Sequence, residues 1–415
     1  MSIWRAMRYR VRAAAGIVLA VGVAAGAAGM ASPAQAQPVL KLPPRSAAVS
    51  WGDNQHGELG NGTTTARTTY AGVSGLSDGV AQVSAGSGNS MALTTGGTVW
   101  TWGDGLTLGN GSTADSTVPV QVPGLAGITR IAAGSFGFDL ALRSDGTVWS
   151  WGLNVVGQLG DGTPVSSRTP VQVTGLTGVT QIAAGDGFGL ALRSDGTVWA
   201  WGWNRDGVLG VGAPVGSNSD VPVQVTGLSN AIQIAAGFTS AMAVRVQARR
   251  GGVLRTVWTW GSNSVGELGD GTTTSSATPV EVSGINVPAV TAISAGGDFS
   301  LVLGSDGSVW GWGYNNFGEL GTGTRINELR PVEILIGAVT GISAGRAHAL
   351  VLLRGGSVLA WGTGLFGTGT FSLTPKVVPS LAGVTQISAG NEYSLAVHQV
   401  VRVFVPGGVP GTLRR

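Results

Sequence analysis

The sequence predicts an all-β fold, a seven-bladed β-propeller built from seven copies of one unit closed into a ring. Three observations predict it. The pair Trp-Gly recurs at Trp51, Trp102, Trp151, Trp201, Trp260, Trp312 and Trp361, in steps of 51, 49, 50, 59, 52 and 49 residues. A second marker, an apolar residue followed by two small residues and a glycine, ends at Gly86, Gly134, Gly185, Gly237, Gly296, Gly345 and Gly390. Between the two markers, most copies carry two apolar runs joined by a tight turn, as in LALRSDGTVWSWG at 140–152. Self-similarity at a fixed period is the signature of stacked supersecondary units that bury their faces against each other.

Each element of the unit has a local reason. An apolar strand and a second strand flank Ser-Asp-Gly, a hairpin signal because glycine accepts the positive φ of the turn. In the strand before each Trp-Gly the residue preceding that pair is always small: Ser50, Thr101, Ser150, Ala200, Thr259, Gly311 and Ala360. Two positions before the Trp stands a second one in five copies, Trp100, Trp149, Trp199, Trp258 and Trp310. Period-two geometry puts both rings on one face and the small residue on the other, so a bulky face meets a small face of the next sheet. After Trp-Gly, stretches such as LNVVGQLGDGT read as a compact loop held by its Asn, its Leu and several glycines. The run TPVQVTGL at 169–176 reads as one more short strand that begins after its proline, at a sheet edge.

The ends of the repeat complement each other. SAAVSWG has no marker before it, and ISAGNEYSLAV has no Trp-Gly after it. Joined, they make one unit, which predicts that the N-terminal strand pairs with the C-terminal strands and leaves no edge open. VVRVFV at 400–405 is the other candidate for the missing strand.

With 71 glycines in 415 residues and only 11% charged residues, the chain is glycine-rich and charge-poor. Its regular supply of Val, Ile, Leu and Trp still argues for a packed core over a disordered linker. Residues 1–36 read as a signal peptide: Arg5, Arg8, Arg10 and Arg12, an uncharged run from Ala13 to Met30, and an A-x-A site at Ala34–Ala36. An uncleaved anchor is the alternative reading. The formal charge of +3 includes those four arginines, and without them 20 basic residues face 21 acidic ones. The basic balance therefore gives no reason to expect nucleic acid as a partner. Export implies a secreted, periplasmic or cell-surface location. With no cysteine, the chain has no disulfide, thiolate metal site or cysteine nucleophile. The expected organisation is a signal peptide (1–36), the propeller (46–405) and a flexible tail (406–415).

With these motifs in hand, the chain resembles the regulator-of-chromosome-condensation repeat family. The pattern IAAG…LALRSDGTVWSWGLNVVGQLGDGT carries the resemblance, over about 46–400. The segments 102–111 and 361–370 are shortened or worn. The family often places a His after the marker; His348 matches, whereas Asn89, Phe188, Ser240, Phe299 and Tyr393 stand elsewhere. The resemblance implies a seven-bladed propeller. Its best-known member type is a nuclear guanine-nucleotide exchange factor. A nearer analogue in scaffold and location is the secreted bacterial inhibitors of β-lactamase, from which no contact residue carries over.

Chemistry-bearing motifs are sparse. His56, His348 and His398 lie far apart with no metal-ligand spacing, and no nucleophile elbow, phosphate loop or calcium loop occurs. Asp145, Asp195 and Asp306, like Asp161 and Asp270, read as turn residues. No catalytic residue, cofactor or metal is expected, and stable membrane insertion is not expected once the signal peptide is removed. The residues outside the repeat are the candidates for partner binding, because loops on a rigid scaffold usually carry it. Trp203 is the one tryptophan beyond Trp4 that is not part of the repeat, and Tyr314 and Phe317 lie in the matching loop of another copy. In the 59-residue step, MAVRVQARRGGVLRTVWTWG replaces the usual short turn with a longer one, and its Arg245, Arg249, Arg250 and Arg255 make it the most basic stretch after the signal peptide. The bland readings are rings that cover the propeller's end and a longer solvated turn. Phe136, Phe138, Phe238 and Tyr393 are assigned to core packing. The reading is a monomeric, secreted or surface-exposed, non-catalytic protein-binding propeller that acts through loops on one face, as an inhibitor or regulator of an extracellular protein. An exchange-factor-like regulator, or an enzyme with a site on the ring axis, is the alternative.

Overall fold

Tight turns between short apolar runs force antiparallel pairing, and the computed structural model shows it throughout. It describes residues 40–404 apart from 215, 251, 335–336 and 365–370. The expected signal peptide and tail lie outside the described residues. Seven four-stranded sheets form, and Lys41–Arg402 makes one compact unit. Blades 1 to 6 follow each other from Val80. Blade 2 is typical, with strands Ile128–Ala133, Phe138–Arg143, Val148–Gly152 and Ser167–Gln172 from the axis outward.

Blade 7 closes the ring. Leu40–Gly52 lies between Arg67–Gly72 and Tyr393–Phe404, with Val384–Ala389 on the inside. Residues 400–404 only prolong the strand Tyr393–Phe404, so VVRVFV does not take the Trp-Gly slot. The fourth strand departs from expectation. In blade 2 it starts at Ser167, before Pro170, and the register shifts between Ser167 and Val171. The proline sits in that irregularity on an edge strand, where its missing N–H breaks no ladder bond.

The Trp pairs pack as the alternation implies. Trp151 is 0% exposed and packs, with half-buried Trp149, against Met91, Leu93 and Val99 of blade 1. The opposite face of blade 2, with Leu140 and Val148, receives Trp201 of blade 3. Six of the seven Trp-Gly indoles, all but that of Trp51 among the described residues, also donate to a loop carbonyl of the preceding blade, as in Trp102 to Glu58 at 2.7 Å, Trp151 to Thr107 at 2.8 Å and Trp260 to Val208 at 2.7 Å. Burial and hydrogen bonding thus fasten neighbour to neighbour.

The marker glycines have a separate reason, close approach at the axis. A Cβ on Gly237 would stand 2.6 Å from the carbonyl oxygen of Gly296, the marker of the next blade. One on Gly86 would stand 2.6 Å from that of Gly134. In five of the seven steps around the ring the N–H after one marker donates to the carbonyl of the next, as in Phe238 to Gly296 at 3.1 Å and Arg346 to Gly390 at 3.0 Å. Only glycine allows this girdle of main-chain bonds.

Strand parity gives the ring two different ends. First-to-second and third-to-fourth connections emerge at one, here the loop end. Second-to-third turns and blade-to-blade links emerge at the other, the turn end.

Candidate functional site

At the loop end the third-to-fourth loops are knitted by a buried Asn. Asn154 accepts the N–H of Leu159 at 2.8 Å and donates to the carbonyl of Thr163 at 2.6 Å. Asn54, Asn263 and Asn315 do the same in their blades. With loop shape fixed this way, the side chains that vary between copies are held in place.

Those variable side chains gather round the axis. The rings of Phe136 and Trp203 lie 5.7 Å apart, and the Arg205 guanidinium sits 5.5 Å from the Trp203 ring. Gly187 makes room for both rings: its absent Cβ would lie 3.3 Å from Trp203 and 3.5 Å from Phe136. Across the mouth, Arg346 of blade 6 lies 5.8 Å from the Phe238 ring of blade 4 and donates to Asn391 of blade 7 at 3.4 Å. Asp186 is half-buried between the two groups. Burial raises its carboxyl above the usual range, while the charges of Arg205 and Arg346 pull it back. Beneath the mouth runs an axial cavity of about 70 Å³, walled by the small residues of the markers. Ser135 and Arg346 supply its only side-chain hydroxyl and charge among the described lining residues. Tyr314 and Phe317 pack against each other at 6.1 Å in blade 5, with Phe317 46% exposed.

The seven candidate residues do not form one site. Trp203, Tyr314 and Phe317 lie at the loop end. Arg245, Arg249, Arg250 and Arg255 lie on a second-to-third hairpin and therefore at the turn end, so a single binding face for all seven is corrected. Phe136 and Phe238, assigned to core packing, are half-buried at the mouth, whereas Phe138 and Tyr393 are buried as expected. Sequence reasoning missed Arg205, Asp186 and Arg346. A signal was present: the residue after each marker glycine varies from copy to copy (Ser87, Ser135, Asp186, Phe238, Gly297, Arg346, Asn391) while its surroundings repeat.

The polar residues outside this patch have structural duties. Asp145, Asp195 and Asp306 each accept the N–H and hydroxyl of the residue two positions on, and those bonds hold their carboxyls below the usual range. His348 is buried, pushed down to about 4 by that burial, and bonded to Ser394 at 3.1 Å. His56 pairs with Asp115 at 3.0 Å on the surface. Among the described residues no group of three metal-ligating side chains occurs, and no helix is long and apolar enough to cross a membrane.

Three loops bury a carboxyl, that of Glu58, Glu267 or Glu319. Glu319 accepts the N–H of Phe317 at 2.9 Å, and burial pushes its pKa up to about 7 from 4.5, with nearby Asp298 adding to the shift. The unfolded chain ionises near 4.5 and the folded one near 7. This group's contribution is therefore full below pH 4.5 and is lost as pH rises to 7. Gln158 occupies the same loop position in blade 2 and accepts the N–H of Val156 at 3.1 Å. Glu319→Gln is expected to flatten the fall in thermal midpoint between pH 5 and pH 8; an unchanged slope would assign that fall to Glu58, Glu267 or Asp139.

Comparison with known proteins fits this architecture. The model of the RCC1-like domain matches residues 42–302 and 137–408. The chain is 31% identical over 102 residues to the Arabidopsis thaliana ultraviolet-B receptor UVR8, which is 25% of this chain and 22% of that one. It is 37% identical over 78 residues to the mitochondrial RCC1 domain-containing protein RUG3 of the same plant, 19% of this chain and 18% of that one. The matches thus span about a fifth of either relative. Among solved structures, Prp20p of Saccharomyces cerevisiae superposes with a TM-score of 0.75 at 20% identity, covering 86% of this chain and 92% of that chain. Human WBSCR16 gives 0.74 at 20% identity, covering 85% and 98%. Likeness at that identity shows the fold. The family model, matched across nearly the whole ring, shows more: the chain belongs to the RCC1-like domain family.

Proposed function

We propose that the chain is a non-catalytic protein-binding propeller and that the axis mouth at the loop end is its contact surface. One observation carries the reading: the aromatic and arginine side chains foreign to the repeat, Phe136, Trp203, Arg205, Phe238 and Arg346, converge round that mouth. Aromatic and Arg anchors dominate protein interfaces, and a charged rim sets the partner's orientation. Two structurally similar proteins bind proteins: Prp20p binds Gsp1p and histones, and yeast RCC1 is bound by Kap60. The basic, apolar, A-x-A start supports export, and an exported monomer of this kind would act as an inhibitor or regulator of an extracellular protein.

The test is affinity capture, with the chain from Gln37 onward as bait and extracellular and envelope proteins of the source organism as prey. The expected result is a protein retained by the wild type and lost with Trp203→Ala, whose thermal midpoint stays within about 3 °C of wild type. Equal capture by Trp203→Ala would move the contact away from the mouth. Capture of nothing by a folded bait would overturn the protein-binding reading.

A further inference from the structure

The remaining unexplained element is the long hairpin of blade 4. Its strands, Ser240–Arg249 and Gly252–Gly261, are ten residues each and stay in register from Ser240↔Gly261 to Arg249↔Gly252. The other described second-to-third connections turn soon after the strand leaves its neighbours. Here pairing with the preceding strand ends at Ala231↔Arg245. Beyond one further bond, from the N–H of Val246 to the carbonyl of Asn230, the hairpin extends past its neighbouring strand at the turn end.

The projection is held stiffly at its base. Arg245 lies over Trp258 at 5.5 Å, and Arg255 donates to the carbonyl of Val290 in blade 5 at 2.9 Å. Two of the four arginines are therefore anchors. The other two, Arg249 and Arg250, are exposed at the tip and make no ion pair among the described residues.

Two further features face the same side. Val246 donates its N–H to Asn230 at 3.0 Å, so by period two the N–H and C=O of Ala248 point the same way, where no strand lies. Beside that edge runs a groove of about 460 Å³, floored by Ile232 and walled by Val246, Ala248 and Val253 on one side and the Asp195 turn on the other. Ile232 and Val253 are 40% and 68% exposed.

We infer that this hairpin takes up an extended acidic segment of a partner protein as an added strand. The segment would pair its main chain with Ala248, lay an apolar side chain in the groove and set carboxylates against Arg249 and Arg250. Strand addition draws affinity from main-chain bonds and specificity from the side chains flanking them. A preformed, anchored edge lowers the ordering cost of binding. Asp195 on the far wall disfavours acidic residues there, so the negative charge belongs toward the tip. The site lies at the opposite end of the ring from the axis mouth and stands or falls independently of it.

A fluorescein-labelled peptide, Glu-Asp-Val-Ile-Val-Glu-Asp, tests the inference by anisotropy. Binding to the wild type is expected to weaken at least about tenfold in the Arg249→Glu/Arg250→Glu variant, two charge pairs together being worth about 1.4 kcal/mol. Ala248→Pro removes the outward N–H and keeps every charge; it is also expected to weaken binding. Amide exchange at Ala248 should slow when the peptide is added. A peptide N-methylated at its central amides that bound as well as the parent would overturn strand addition. Equal binding by the double variant would overturn the role of the arginines. If phosphatidylglycerol vesicles bind in an arginine-dependent way and the peptide does not, the hairpin meets a lipid surface and the inference is wrong.

Discussion

Trp151→Ala is expected to destabilise the protein by roughly 3–5 kcal/mol, the range for emptying a large buried aromatic site. Three losses add up there. The ring is 0% exposed against Met91, Leu93 and Val99. The Thr107 carbonyl loses its 2.8 Å indole donor. Gly109, which lies on the indole, is left over a void. Because the ring joins two blades, both sheets share the damage. Trp149→Ala is the matched comparison. That ring is half-buried, with the Arg143 guanidinium 4.4 Å away, and its removal should cost clearly less. Denaturant unfolding of both variants checks the pair. Equal effects would contradict the view that the inner Trp is the interblade wedge.

Gly237→Ala is expected to be damaging although it adds only a single methyl group. The new Cβ would lie 2.6 Å from the Gly296 carbonyl and 3.1 Å from the Ala295 side chain. Blade 4 must back away from blade 5, which strains the 3.1 Å bond from the Phe238 N–H. Overpacking costs about 1–3 kcal/mol and a weakened buried hydrogen bond about 1 more, so a loss of about 2–4 kcal/mol is expected. Gly72→Ala is the control, because nothing lies within 4 Å of its Cβ position and its φ is not positive. It should be neutral or slightly stabilising by limiting the unfolded chain. A thermal midpoint for Gly237→Ala equal to that of Gly72→Ala would show that the ring tolerates loosening at its axis.

Most of the fold was legible because the repeat states each rule seven times. Alternation around Trp151 fixed which face is bulky, and Asp145–Gly146 fixed the turn. The unmatched ends around Trp51 and Tyr393 gave ring closure. The start of the fourth strand was misread, because Pro170 acts as a breaker in most strands and only its edge position excuses it here. The site was less legible for a physical reason. Whether two loops meet depends on strand parity and ring position, which separate Trp203 from Arg249 and bring Phe136 of one blade to Trp203 of the next. Arg346 reaching Phe238 across two blades leaves no trace in local pattern. The hairpin was seen as basic, but that two of its arginines serve as anchors follows only from Trp258 and Val290.

The way the ring closes also orders its assembly. Contacts between blades 1 to 6 join chain neighbours, so these blades can form progressively, as in an open array. The pairing of Leu40–Gly52 with Tyr393–Phe404 instead spans nearly the whole ring and carries its largest loop-closure entropy. That latch is expected to form after its neighbours have supplied a template, and to be the slow step of folding, which a truncation of residues 40–52 would test by removing the slow phase in refolding kinetics. It is also the natural place for the ring to spring open under load or mild denaturant, with blades 2 to 5 still stacked.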